Sequence, residues 1–250
     1  MKPIEYFIGK IINFDCLKVM PHIPDKSIDM ILCDLPYGTT ACKWDTVIPF
    51  EPLWKQYKRI IKDNGAIVLT ASQPFTSSLV MSNLEMFRQE LIWEKTMGTG
   101  NMNANKMPIK KHENIVIFYK HLPTYNPQFT SGKPYKDKRG NFGERNDNEI
   151  YGDCVFRYDP IDNQGTRYPI SIIKISNPNN NKLHPTQKPV PLFEYLIKTY
   201  TNEGDIVLDN CIGSGTTALA CKNTNRRFIG IELDKGYCEI ARQRLLEVDR

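Results

Sequence analysis

Short apolar runs alternate with helical patterns along most of this chain, and this alternation restricts the folds that it can adopt. Residues 28–34 and 66–70 are short and almost wholly apolar, which predicts strands buried on both faces. Between them, residues 49–62 carry apolar side chains at the spacing of one helix face. Strands that alternate with helices predict an α/β fold with a doubly wound, mostly parallel sheet.

The alternation returns near the end of the chain after a long interruption. Residues 204–209 and 228–232 are predicted strands, and a helix is predicted after each of them. Residues 121–182 show little periodicity, and a stretch of that length is too long for a plain connection. We therefore predict that an inserted lobe at 121–182 divides a single domain into two halves, residues 1–120 and 183–250.

The composition is that of an ordinary soluble globular protein. Of the 250 residues, 40% are hydrophobic and 24% are charged, and both values are close to the average. No apolar run approaches the roughly 18 residues of a membrane helix, and residues 1–10 lack the apolar core of a signal peptide. We therefore expect a cytoplasmic protein without a membrane partner.

The cysteine pattern argues against a disulfide framework and against a zinc site. The seven cysteines are scattered, and no two of them form a Cys-x-x-Cys pair. An odd number without metal-binding spacing favours reduced thiols that pack in a core. We accordingly expect no bound metal.

The positive charge of the chain is concentrated in one segment. The net charge is +5, and residues 101–145 contain nine basic residues against three acidic ones. A basic surface beside a nearly neutral remainder indicates a polyanionic partner, although a solvated loop face has a similar composition.

The predicted strand at 28–34 leads into a short motif of unusual chemistry, Asp34-Leu35-Pro36-Tyr37-Gly38. Ligands of open α/β sheets bind at the carboxyl ends of the strands, which is where this motif lies. An ordinary turn uses similar residues. The motif alone therefore leaves a ligand site and a plain turn open.

A glycine-rich loop follows the predicted strand at 204–209. Residues 213–218 read Gly-Ser-Gly-Thr-Thr-Ala, which fits the Gly-x-Gly-x-x-(Gly/Ala) pattern, and Glu232 ends the next strand. Small residues let the backbone approach a ligand, and a carboxylate can accept hydrogen bonds from ribose hydroxyls. A tight strand–helix turn with a surface glutamate is the alternative.

Two classes of nucleotide ligand do not fit this part of the sequence. A nicotinamide dinucleotide needs a second mononucleotide half, and only one helix is expected after Glu232. A Walker loop needs a Gly-Lys-Ser/Thr sequence, which does not occur here. A single nucleoside-like cofactor fits better, and Asp209 at the strand tip could pair with its amine.

Four motifs, taken in order, resemble the S-adenosylmethionine-dependent amino methyltransferases of DNA that form the permuted β group. In that group the catalytic Asp-Pro-Pro-Tyr half precedes the cofactor loop, as it does in this chain. Only about residues 125–175 are unmatched, where the family has its target-recognition region. The four motifs are Asp34 to Tyr37, His-Pro-Thr-Gln-Lys-Pro at 184–189, the loop at 209–217, and Ile231-Glu232.

The resemblance implies a Rossmann-like methyltransferase fold, with residues 1–120 as the catalytic half and 183–250 as the half that binds S-adenosylmethionine. Asp209 and the glycine loop would hold the amino-acid part of the cofactor, and Glu232 would hold its ribose. Asp15 would hold the adenine, and Thr186 and Lys188 would flank the methionine end. The full set of implied cofactor-binding residues is Asp15, Asp34, Thr186, Lys188, Asp209, Cys211, Gly213, Ser214, Gly215, Thr216, Thr217 and Glu232.

Three residues, at two places in the chain, depart from the family pattern. The family usually has proline where Leu35 stands, and Pro-Phe where Asn210 and Cys211 stand. Leu35 still supplies a backbone carbonyl, so we expect little change in the chemistry. Cys211 lacks an aromatic surface beside the cofactor, which predicts weaker cofactor binding.

The resemblance also makes DNA the partner of the basic segment, while the oligomeric state, monomer or homodimer, is left open. Lysines and arginines would position phosphates, and polar side chains of the target-recognition region at 121–182 would read base edges. The residues expected to contact DNA are Lys95, Lys106, Lys110, Lys111, Lys133, Lys136, Lys138 and Arg139.

The expected activity is site-specific methylation of adenine N6 in DNA, as part of restriction-modification. The catalytic residues would be Asp34, Leu35, Pro36 and Tyr37, since aspartate at the first position accompanies adenine more often than cytosine in the family. Cytosine-N4 methylation, methylation of RNA or protein amides, and a non-catalytic nucleic-acid-binding module are the alternatives.

Overall fold

The structure, a computed structural model, describes residues 2–40, 42, 45–137, 145–146, 155–156, 161–177 and 187–248. The chain divides into two compact units, Met1–Asn126 with Ser171–Arg250, and Pro127–Ile170. Three residues named above, Thr186, Lys138 and Arg139, lie outside the described residues.

Strands and helices alternate in the first unit, and short strands make up the second. In chain order the strands are β1 Ile11–Asn13, β2 Ile28–Asp34, β3 Ile61–Ala71, β4 Phe87–Thr99, β5 Lys110–Phe118, β6 Thr130–Ser131, β7 Tyr135–Asp137, β8 Arg145–Asn146, β9 Val155–Phe156, β10 Ile161–Asn163, β11 Thr166–Arg167, β12 Ile172–Lys174, β13 Ile206–Asp209 and β14 Arg227–Glu232. The α-helices are α1 Cys16–Val19, α2 Phe50–Ile60, α3 Phe75–Met81, α4 Val190–Tyr200, α5 Thr216–Asn223 and α6 Lys235–Val248.

The first unit is built on one eight-stranded sheet in the order β1-β14-β13-β2-β3-β5-β4-β12. All neighbours are parallel except around β5, which is antiparallel to both β3 and β4. The predicted doubly wound, mostly parallel sheet is therefore confirmed. None of the helices within the described residues is long and apolar enough to span a membrane.

Both faces of the central strands are buried, because helices pack on each side. In β2, Ile31 faces the core that contains Leu53 of α2, whereas Met30 faces the core that contains Leu196 of α4. This two-sided burial explains why β2 reads as a continuous apolar run instead of an alternating one.

Asn64 and Gly65 follow the helical pattern at 49–62 and are typical of a helix end, but the boundary between α2 and β3 lies elsewhere. α2 ends at Ile60, and both residues lie within β3, where the pairing with β2 shifts register. A Cβ atom on Gly65 would lie 2.8 Å from the backbone oxygen of Asp29. The close approach of β3 to β2 therefore requires glycine at this position. Glycine is also common at helix ends, so the sequence alone does not distinguish these two roles.

The chain reverses its direction of winding between β2 and β13. β2 leads to β3 on one side, β13 leads to β14 on the other, and the two strands pair directly through Val207 with Met30. Their last residues, Asp34 and Asp209, therefore end next to each other at the carboxyl edge of the sheet. Such a switch point opens a crevice for ligands.

Among its described residues the second unit contains three short antiparallel pairs, β6 with β11, β7 with β10, and β8 with β9. Phe129 packs against Tyr168 with 4.9 Å between ring centroids, and the Arg167 guanidinium lies 4.7 Å from the ring centroid of Tyr135.

Residues 121–126 and 171–177, which we assigned to the lobe, lie in the first unit. The apolar stretch at 172–174 forms β12, the edge strand of the large sheet.

Candidate active site

A cavity of about 710 Å³ opens at the carboxyl edge of the large sheet. Of the implied catalytic and cofactor-binding residues that the structure describes, Gly215 alone does not line it. Gly215 has a φ of +85° at the start of α5, and a Cβ there would lie 2.9 Å from the Ala241 Cβ, so it allows α5 to approach α6. The implied residues that line the cavity are Asp15, Asp34, Leu35, Pro36, Tyr37, Lys188, Asp209, Cys211, Gly213, Ser214, Thr216, Thr217 and Glu232.

Asp34 lies at the end of β2 and is held by hydrogen bonds to Oδ1. The Tyr37 hydroxyl donates to this oxygen at 2.6 Å, and the Thr70 hydroxyl donates to it as well. Thr70 is the β3 residue opposite Asp34 in the register. Burial, followed by the negative charges of Asp34 and Glu113, raises the pKa of Tyr37 well above its usual value, so its hydroxyl remains a donor.

The second carboxylate oxygen of Asp34 contacts a buried lysine. The Lys188 Nζ lies 2.6 Å from Asp34 Oδ2 and 3.3 Å from Glu113 Oε2, and the side chain of Lys188 is only 5% exposed. Glu113 Oε1 pairs in turn with Lys95, which is also buried. Burial lowers the pKa of Lys188, but the carboxylates of Asp34 and Glu113 outweigh it and raise the pKa overall. Lys188 is therefore a fixed cation.

The sequence did not single out Thr70 or Glu113 as parts of this network. Thr70 could have been found as a polar residue at the carboxyl end of the apolar strand beside β2. Glu113 lies in the first half of β5. Because β5 is antiparallel to β3, this half lies at the carboxyl edge of the parallel strands, and no local sequence pattern predicts that placement. Lys95, which we grouped with the DNA-contacting lysines, belongs to the buried network.

The loop after Tyr37 is fixed by a buried carboxylate that we did not anticipate. Asp45 accepts hydrogen bonds from the backbone N–H groups of Gly38 at 2.9 Å, Thr39 at 2.9 Å and Thr40 at 2.7 Å. Burial raises the pKa of Asp45, but these N–H donors outweigh it and lower the pKa overall. Asp45 thus ties the loop to the wall of the cavity.

Asp45→Ala is expected to lower the turnover rate by about 10²-fold, since small displacements of reacting groups have effects of that size. The Kd of the cofactor should stay within about threefold, because the substitution leaves the glycine loop untouched. Single-turnover kinetics and calorimetric titration measure the two quantities. Asp45→Asn keeps one acceptor oxygen and should recover part of the rate; equal rates for both variants and wild type would contradict this positioning role.

The glycine loop is organised by two carboxylates. Asp209 Oδ1 accepts from the backbone N–H of Cys211 at 3.0 Å, and Oδ2 accepts from the Thr217 hydroxyl. Glu232 Oε2 accepts from the Gly213 N–H at 2.8 Å. Burial raises the pKa of Asp209 to about 7 despite these donors. A buried carboxyl group with this pKa is suited to a cationic ligand group.

Asn210 and Cys211, two of the three residues that depart from the family pattern, form a polar contact beside the loop. The Tyr57 hydroxyl donates to Asn210 Oδ1, and Asn210 Nδ2 lies 3.7 Å from the Cys16 Sγ and 3.5 Å from the Cys211 Sγ. The cysteines within the described residues are all free. Asn210 stands where the family usually has proline, and it is only 2% exposed. Its Oδ1 accepts the hydrogen bond of the buried Tyr57 hydroxyl from α2.

Two exposed apolar side chains complete the far end of the cavity. Phe14 follows β1 and is 54% exposed, and Leu233 follows β14 and is 72% exposed. β1 and β14 are paired, so both residues leave the sheet side by side and line the cavity. Asp15 lies next to Phe14 and caps α1 by accepting from the Leu17 N–H at 2.9 Å. Sequence reasoning found Asp15 but missed the two apolar residues.

The remaining lysines differ in exposure. Lys106 and Lys111 are exposed in the first unit, while Lys110 is half-buried and donates to the Ser72 hydroxyl. Lys133 and Lys136 are exposed in the second unit, and Lys136 pairs with Asp162 at 3.2 Å.

Fold and site together define an α/β protein with a cavity at a switch point of the sheet, lined by the predicted catalytic motif and the predicted cofactor loop. The sequence profile of the family described as DNA methylase matches residues 28–243, and the chain belongs to this family of N6/N4 amino methyltransferases. It is 30% identical to the type II methyltransferase M.HpaI of Haemophilus parainfluenzae over 94% of this chain and 74% of that protein. It is therefore an S-adenosylmethionine-dependent DNA methyltransferase.

Solved structures support the same class. The crystal structure of the M1.HpyAVI–SAM complex matches with a TM-score of 0.62 and 25% identity, covering 94% of this chain and 98% of that one. The PvuII DNA methyltransferase, which is cytosine-N4-specific, matches with a TM-score of 0.64 and 15% identity, covering 95% and 89%. At that identity the second likeness concerns the fold alone.

Proposed function

We propose that this methyltransferase acts on adenine and methylates its exocyclic N6. The proposal rests on Asp34, whose carboxylate lies in the cavity at the end of β2. In the family resemblance described above, aspartate at this position accompanies adenine more often than cytosine. The fold does not discriminate between the bases, so cytosine N4 is the alternative.

The chemical task is to make a poor nucleophile reactive. The lone pair of the adenine amino group is delocalised into the ring, and acceptors for its two N–H groups draw the nitrogen towards tetrahedral geometry. Asp34 supplies one acceptor and the main-chain carbonyl of Leu35 the other, with Pro36 restricting the backbone. A carboxylate has about four lone-pair sites, so Asp34 can accept one more N–H beside its donors Tyr37, Thr70 and Lys188.

Tyr37 is the proposed platform for the base. Its ring packs against Phe75 with 5.2 Å between centroids at 25°, and its hydroxyl is held by Asp34. The Lys188 Nζ lies 5.5 Å from the centroid of the same ring. Stacking of an extruded base is worth about 1–3 kcal/mol, which offsets part of the few kcal/mol needed to remove it from the duplex.

The opposite end of the cavity fits the cofactor. Phe14 and Leu233 can enclose an adenine ring, Glu232 retains lone pairs for ribose hydroxyls, and Asp209 can pair with an ammonium group. The bound cofactor supplies an electrophilic methyl group on a sulfonium. The distribution of these residues along one cavity supports direct in-line transfer, in which positioning accounts for much of the rate.

The exposed lysines and the second unit are proposed to bind DNA. Lys106, Lys111 and Lys133 would contact phosphates, and polar side chains of the second unit would read the target sequence. Binding should then weaken steeply as salt concentration rises.

The base is identified by its product. The enzyme is expressed in a host that lacks DNA methylation. DNA isolated from this host is digested to nucleosides, and the modified nucleoside is determined by mass spectrometry. N6-methyladenine is the expected result. N4-methylcytosine as the sole product would overturn the assignment to adenine.

Cofactor affinity should depend on pH through Asp209. An ammonium partner favours the ionised carboxylate, and the pKa of Asp209 without that partner is about 7. Binding must therefore release a proton below pH 7, and affinity should fall by up to about tenfold per pH unit between pH 7 and 5. Calorimetric titration in buffers of different ionisation enthalpy counts the proton. Asp209→Asn should bind more weakly without this slope; an unchanged slope would rule out Asp209.

A further inference from the structure

The connection between β4 and β5 presents an unusual surface beside the active site. Within residues 97–109, four apolar side chains are exposed, and Met102 is 95% exposed at the apex. The other three, Met97, Met107 and Ile109, are 69%, 60% and 45% exposed. Apolar side chains gathered on one exposed segment mark an interaction surface.

The segment has a preformed shape. Residues Asn101–Asn103 form a 3-10 turn that starts after Gly100, whose φ is +92°. The Asn103 N–H donates to the Gly100 carbonyl at 2.9 Å, and the Met107 N–H donates to the Asn103 carbonyl at 3.0 Å. Met102 is therefore carried on an ordered turn.

The base of the segment is anchored to the rim of the cavity. Asn177 receives a hydrogen bond from the Met97 N–H at 3.3 Å and donates one to its carbonyl at 3.3 Å. Lys110 donates to the Ser72 hydroxyl, and Ser72, Asn177 and Thr99 all line the cavity. The base of the segment therefore adjoins the cavity that a substrate base must enter.

The charge around the segment favours a polyanion. Residues 96–112 contain three lysines, Lys106, Lys110 and Lys111, and no aspartate or glutamate, and Lys111 pairs with Glu94 at 3.3 Å. Lys106 lies within the segment and is exposed, and Lys111 follows it. An apolar apex flanked by lysines matches a DNA duplex, in which phosphates surround an apolar base stack, better than it matches an acidic or purely apolar protein surface.

We propose that residues 97–109 are a DNA wedge, in which Met102 enters the base stack and fills the space that the target base leaves. A base cannot reach Asp34 within the duplex, and the vacated position costs stacking energy unless an apolar group occupies it. Methionine is unbranched and adapts to irregular spaces. The proposal rests on the proposed function only in that the target base leaves the duplex.

The test compares two duplexes that contain the target site mapped by sequencing modified DNA. In one the target is paired, and in the other it lies opposite an abasic position. Met102→Ala should lower kcat/KM about tenfold or more on the paired duplex, but less than about threefold on the abasic one, where unpairing is already complete. The Kd of the cofactor should be unchanged. Met81→Ala is the matched control, since Met81 is 67% exposed at the end of α3 and does not line the cavity.

Equal losses on both duplexes, or no loss on the paired one, would overturn the wedge. A loss shared by Met81→Ala would also do so, because it would show a general effect of truncating exposed methionine. A wild-type enzyme that forms N4-methylcytosine would overturn the proposed function alone, because the comparison requires only a mapped target base of either kind.

Discussion

Asp34→Ala is expected to abolish methyl transfer, with a loss of about 10³-fold or more, while cofactor binding stays measurable. The substitution removes the proposed acceptor for the amino group, and single electrostatic contacts to a transition state are worth factors of this size. It leaves the glycine loop and Glu232 intact. Rapid-quench measurement of methyl transfer and calorimetric titration of the cofactor determine the two quantities.

Asp34→Asn separates the charge of Asp34 from its shape. Asparagine can still accept from Tyr37, but it leaves Lys188 with Glu113 as its remaining carboxylate partner. We expect a similar loss of rate with a cofactor Kd within about threefold of wild type. Asp63→Asn, at an exposed aspartate paired with Lys26, is the control and should be fully active. An active Asp34→Ala enzyme would refute the catalytic assignment.

Lys188→Met is expected to lower both stability and activity. The substitution preserves much of the side-chain volume but leaves the buried carboxylates of Asp34 and Glu113 without their shared cation. Removing one partner from a buried ion pair costs about 3–5 kcal/mol. Urea unfolding at neutral pH measures the change in the free energy of unfolding.

The double variant Lys188→Met with Glu113→Gln separates the effect of Lys188 on the free energy of unfolding from its effect on activity. Removing the Glu113 charge as well should recover a small part of the free energy of unfolding, because Asp34 and Lys95 then balance in charge, while Lys95 loses its own carboxylate partner. Activity should stay low, since Asp34 still lacks the ammonium at Oδ2. Unchanged stability of Lys188→Met would contradict the role of the buried network, and full activity of the double variant would contradict the coupling of Lys188 to Asp34.

The sequence was sufficient wherever a local pattern reports a local structure. The apolar run that ends at Asp34 and the glycines of residues 213–218 predicted a strand end and a strand–helix turn. The alternation of strands and helices then predicted that these turns lie at one edge of a parallel sheet. The four ordered motifs were sufficient for the family, although the roles of individual residues remain predictions.

Tertiary structure alone decided which side chains surround those motifs. Lys188 and Asp34 are 154 positions apart, and their contact depends on the placement of β13 beside β2. Glu113 enters because β5 is antiparallel, and Phe14 meets Leu233 because β1 pairs with β14. Hydrophobic periodicity determines which face of an element is buried, but strand order and direction determine its neighbours. The catalytic motif was therefore visible in the chain, whereas the charges and rings that hold it were not.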